Sequence, residues 1–95
     1  MPSIAPSRAS VAGPTAGDTA AFVTEFRSFY PELADGRRDD PIANILDNTC
    51  QEIGDGKEAS IVVVNTGKRA AYQNATPTPD QAQAIYELAT KYCPN

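Results

Sequence analysis

The sequence predicts an all-α fold: a small bundle of about four helices, stapled by one disulfide and preceded by a disordered N-terminal tail. Three observations carry that expectation. Apolar residues recur at helical spacing from Ile42 to Ile53 and from Ala82 to Tyr92. Both segments are bounded by residues that start and stop helices. Cys50 and Cys93, the two cysteines of the chain, fall on the inner stripe of one helix and the edge of that of another, so they meet if those helices are neighbours.

Residues 1–16 are dominated by Pro, Ala and Ser with a single Arg. Such a stretch buries too little apolar area to offset the entropy of ordering it, and it reads as a flexible tail ahead of one domain over residues 17–95. Behind an export signal this is the composition of a spacer; a leader without a role fits it equally well. The first helix is expected from an Asp18 N-cap through Thr19 to about Tyr30, with Phe22, Phe26, Phe29 and Leu33 along one face. Pro31 limits it, because the residue before a proline avoids helical geometry. Ala34 to Asp39 follow as a polar loop.

The second helix has Asp40 as cap, Pro41 at its first position and Gly54 as C-cap. Ile42, Ile45, Leu46, Thr49, Cys50 and Ile53 form its inner face, and Asn44, Asp47, Asn48, Gln51 and Glu52 its outer one. The third segment, Lys57 to Asn74, is ambiguous. Ile61-Val62-Val63-Val64 is β-branched and fits a buried strand. Read as a helix, Ile61, Val63, Val64, Gly67, Ala70, Ala71 and Tyr72 share one arc, with Asn65, Thr66 and Arg69 opposite. A lone strand would have no partner, so a helix is the expectation. The fourth helix opens with the capping box Thr78-Pro79-Asp80-Gln81 and turns Ala82, Ile85, Leu88, Ala89 and Tyr92 inward before Pro94 stops it.

Ninety-five residues make one domain at most. A formal charge of −4, with eight basic against twelve acidic residues, argues against a nucleic-acid partner. Arg37 and Arg38 are answered at once by Asp39 and Asp40, and read as a solvated loop. Without histidine, no Ser-His-Asp or Cys-His arrangement can be built, and two distant cysteines supply no zinc site. Asp35, Asp39, Asp40, Asp47, Glu52 and Asp55 offer carboxylates for glycoside chemistry, but four short helices leave little room for a cleft. Calcium is not expected, since two arginines interrupt the Asp35–Asp40 loop. No metal, cofactor or enzymatic activity is therefore expected. No window approaches the eighteen apolar residues of a membrane span.

A pair of cysteines in a short chain fits a bridge formed in an oxidising compartment; two buried thiols in a cytosolic protein are the alternative. Met1 to Pro6 lack an apolar export segment. The expectation is an extracellular or cell-envelope protein whose export signal has been removed, with a cytoplasmic one as alternative.

The pattern of Cys50, Gly54 and Gly56, then Thr78, Pro79, Gln81, Ala82 and Ile85, closing on Tyr92-Cys93-Pro94, resembles an actinobacterial family abundant in mycobacteria. It is known as domain of unknown function 732, and the resemblance covers roughly residues 20–94. What the resemblance implies is a small secreted or envelope-associated helical domain with bridged cysteines, and no activity. The chain departs from the family in its missing export signal and in its β-prone third helix.

These readings favour a non-catalytic interaction module that binds a protein or envelope component through a helical face. Tyr30, Tyr72 and Tyr86 are candidate contact residues, because tyrosine is enriched at interfaces; half-burial at the core edge is the plainer use of them. A carrier of small apolar ligands is the alternative, with Phe22, Phe26, Phe29, Gly67, Ala70 and Ala71 framing a pocket. An intracellular, phage-type regulator is a further one.

Overall fold

Five helices and no β-strand make up residues 13–94, which are the residues described by the computed structural model. Helix α1 spans Ala16–Phe29, α2 Pro31–Ala34, α3 Asp39–Gly54, α4 Ala59–Ala70 and α5 Pro79–Tyr92. Four are long and α2 is a single turn, so the expected bundle is present. Residues 1–12, where most of the expected tail falls, lie outside the described residues.

Helix α1 begins earlier than its sequence suggests. Thr15, not Asp18, is the N-cap, and its hydroxyl accepts the Asp18 N–H at 3.0 Å. Asp18 instead sits in the first turn, where its charge opposes the helix dipole. Phe22 and Phe26 are fully buried, together with Val23, but Phe29 is 62% exposed. The chain breaks at Tyr30 ahead of Pro31, and the change of direction carries Leu33 into the core while leaving Phe29 outside.

Helix α3 also starts before its expected cap. Arg38 is the N-cap, and Asp39 and Asp40 occupy the first turn. Gly54 still belongs to the helix; the positive φ that ends it falls on Gly56, at 85°. The same device appears on the other side of α3, where Asp35-Gly36 follows α2 with Gly36 at φ 77°. Each Asp-Gly turn is followed by a cation, Arg37 or Lys57, that folds back onto the protein.

Arg37 is not solvated as its loop composition suggests. Its Nη1 donates to Leu33 O and Ala70 O, and its Nη2 donates to Arg69 O at 2.9 Å. Its guanidinium also lies over the Tyr72 ring, 5.0 Å from the centroid. The carbonyls at the end of α4 are thereby satisfied by a side chain rather than by further helix. This explains why α4 stops at Ala70 instead of reaching Asn74. Tyr72 and Ala75 then exchange backbone hydrogen bonds at 2.9 Å across a tight turn in which Gln73 has φ 55°.

Helix α5 follows its sequence closely. Thr78 and Gln81 form the reciprocal capping box, and Ala82, Ile85, Leu88 and Ala89 are buried. Side chains from all five helices, Ala70 of α4 among them, fill one core, with Phe22, Phe26, Ile42, Leu46 and Ile85 at its centre. Burying each such side chain contributes about 1.5–3 kcal/mol.

Candidate functional site

The structure brings Cys50 and Cys93 together as a disulfide, with Cα atoms 5.3 Å apart and a sequence separation of 43. The bridge ties the C-terminal part of α3 to the C-cap of α5. A second tie lies beside it: Glu25 accepts the Tyr92 hydroxyl at 2.6 Å and the Lys91 ammonium at 3.1 Å. These two bonds hold the Glu25 carboxyl below its ordinary pKa, and the bond to Glu25 raises that of the Tyr92 phenol.

The three candidate tyrosines are all half-buried. Tyr30 packs its ring on Phe26 and Phe29, with centroids 5.5 and 6.3 Å away. Burial, then the charges of Glu32 and Glu87, raise its pKa. Tyr72 lies under Arg37 and accepts a bond from Gln73 Nε2 at 3.3 Å. Tyr30 and Tyr72 thus have packing partners within the chain.

Helix α4 is rotated from the orientation its apolar arc suggests. Val62, Thr66 and Ala70 face inward, while Ile61 and Val64 are 49% and 56% exposed. The reason is a polar seam between α3 and α4. Thr66 donates its hydroxyl to Val62 O at 2.7 Å, so the 3.1 Å contact with Thr49 makes Thr49 Oγ1 the donor. A threonine bonded to its own helix in this way enters a core without an orphaned hydroxyl.

Glu52 belongs to the same seam, although its position on α3 places it among outward residues; it is only 7% exposed. Its Oε2 accepts from Lys57 Nζ at 3.1 Å and from Asn65 Nδ2 at 3.0 Å. Its Oε1 faces Arg69 Nη2 at 2.8 Å in an ion pair off the hydrogen-bond axis. Burial by itself raises the Glu52 pKa, but Arg69, Lys57 and Asn65 outweigh it and leave the carboxyl below its ordinary value. Turning Thr66, Arg69 and Asn65 toward α3 necessarily turns Ile61 and Val64 out.

Val64 thereby lines the candidate site. Val63, Val64, Gly67, Lys68 and Ala71 of the α4 segment face Thr76 to Pro79 and Ala82 across a surface groove of about 450 Å³. Lys68 is the single charged residue of its lining. The floor is set by Gly67, where an added Cβ would stand 3.0 Å from that of Ala82. The residues expected to frame a ligand pocket are dispersed instead. Phe22, Phe26 and Ala70 are core, Phe29 is on the surface, and Gly67 and Ala71 line the groove.

The acidic residues do not assemble into a reacting pair. Asp39 is bound to Arg27, Glu52 is enclosed in its cationic seam, and Asp35, Asp40, Asp47 and Asp55 are exposed. Among the described residues there is no group of three His, Cys, Asp or Glu placed to hold a metal ion, and no helix long and apolar enough to cross a membrane. No protein-family model, no curated protein and no solved structure matches the chain.

Proposed function

We propose that this chain is a non-catalytic interaction module that works outside the cytoplasm and binds another protein through the outer face of α4. One observation carries the reading: Ile61 and Val64 stand exposed, Val64 in the wall of an apolar groove, on a helix that a buried polar seam locks in that orientation. Large aliphatic side chains gain nothing from water, and a rigid helix presenting them with an adjoining groove fits the helical-face mode of recognition. The disulfide supports the placement, since such bridges persist in oxidising compartments. The resemblance to the actinobacterial two-cysteine family points the same way.

Photo-crosslinking tests this. A photoreactive residue at Val64 is expected to give protein adducts in the native envelope or secreted fraction, and the same residue at Asp47 on the exposed side of α3 is not. Equal adducts from both positions, or none from Val64, would overturn the assignment of the face.

A further inference from the structure

We propose that the partner of the α4 face is a second copy of this chain, docked antiparallel through α4 about a twofold axis near Val63. The inference rests on reading that face as an interaction surface and adds the identity of what covers it. Ile61, Val64 and Lys68 are spaced three and four residues apart, which makes a narrow seam along one side of the helix. Ile61 and Val64 are its exposed apolar members.

The charges around this seam are unequally employed. Lys57 and Arg69 are turned inward onto Glu52. Glu58 and Lys68 are exposed, at opposite ends of α4, and neither forms an ion pair among the described residues. They lie ten residues apart in sequence, about 15 Å along a helix. In an antiparallel pair centred on Val63, Glu58 of one copy stands level with Lys68 of the other. Twofold symmetry supplies that pairing twice, and between the two pairs Ile61 and Val64 of each copy meet those of the other. A parallel pairing would set Glu58 against Glu58 and Lys68 against Lys68. The seam is therefore self-complementary in one orientation only.

The seam is short. One helix face of this length buries well under the ~800 Å² per partner of a standard interface, so the dimer is weak and concentration-dependent. Such an assembly suits a domain brought to high local concentration, as on a surface, better than one diluted in bulk.

Sedimentation equilibrium on the full, oxidised chain from about 10 µM to 1 mM, a range suited to small interfaces, reads the association. The average mass is expected to rise toward twice that of the chain. Lys68→Glu or Glu58→Lys alone replaces two attractions by two repulsions and is expected to weaken the dimer about tenfold. The double variant Glu58→Lys/Lys68→Glu is expected to recover most of that loss, with helical circular dichroism unchanged throughout. A monomer over the whole range, a dimer indifferent to the single reversals, or a double variant no better than the singles would each overturn the proposal. A monomer that still crosslinks to a different protein from Val64 would refute self-association alone. A Val64 probe that captures nothing, in a chain that dimerises elsewhere, would refute both readings.

Discussion

Removing both cysteines, as Cys50→Ala/Cys93→Ala, should destabilise the domain by about 4 kcal/mol. The bridge closes a loop of 43 residues. On the chain-entropy relation the restriction of the unfolded chain amounts to about 13 cal/mol/K, or ~4 kcal/mol at 25 °C. Substituting both positions avoids leaving a lone thiol at Cys50, which is buried. The native state itself loses little, because Tyr92 and Lys91 still bind Glu25 and Ile85, Leu88 and Ala89 still anchor α5. Urea unfolding followed by far-ultraviolet circular dichroism provides the measurement. With a slope of about 1 kcal/mol/M for a domain this small, the midpoint should fall by about 4 M at nearly unchanged native ellipticity. A drop under about 1 M would refute the reasoning, since it would mean that the unfolded chain already holds α3 near α5 without the covalent link.

Glu52→Gln should destabilise by about 3 kcal/mol in thermal or urea unfolding, because it leaves Arg69 and Lys57 without their buried counter-charge. The Glu52 carboxyl has a lowered folded pKa, so its contribution is complete above the unfolded pKa near 4.3 and is lost as pH falls through the folded value; the Gln variant should show a flatter acid limb in stability against pH. Thr66→Val should cost about 1–2 kcal/mol by taking the acceptor from the buried Thr49 O–H, whereas Thr49→Val/Thr66→Val should cost less than the sum of the two single changes in a double-mutant cycle. Gly67→Ala should destabilise by about 1 kcal/mol or more against Ala82 despite its helix-propensity gain, while Gly54→Ala, with nothing within 4 Å, should stabilise by about 0.5 kcal/mol.

What the sequence revealed and concealed divides along a physical line. The α5 capping box, the inner stripe of α3 and the meeting of Cys50 with Cys93 were legible because each depends on local spacing and on side chains whose preferred surroundings are unambiguous. The orientation of α4 was not. Hydropathy places Ile61 and Val64 inside and Thr66 outside, and the structure reverses both. The reversal depends on partners on a separate helix, Thr49 and Glu52, whose reach across to α4 no single helix records. One signal was present: Thr49 on the otherwise apolar face of α3 needed a polar neighbour, and Thr66 is a residue able to supply one while bonding to its own helix. The exposure of Phe29 was hidden for a similar reason, since it follows from the break at Tyr30 and not from the spacing of the phenylalanines.

The seam also bears on why the outward face is available at all. A helix rich in Ile and Val, free to rotate about its axis, would turn its largest aliphatic residues into the core. Here that rotation would drag Arg69 and Asn65 away from Glu52 and separate Thr66 from Thr49. Leaving a buried carboxylate uncompensated costs several kcal/mol, against about 1–2 kcal/mol recovered for each half-exposed Ile or Val side chain. The polar contacts therefore act less as a source of net stability than as a selector of one helix orientation over another. On this argument Glu52 and Thr66 fix which face of α4 points outward. A variant such as Glu52→Leu/Arg69→Leu, which exchanges the buried ion pair for apolar groups, should fold and yet lose protection of Ile61 and Val64 orientation. A cysteine placed at Val64 would report this as a changed rate of thiol labelling, once its introduction is matched against the same cysteine in the natural background. An unchanged rate would mean that packing against Ala82 alone holds α4 in place.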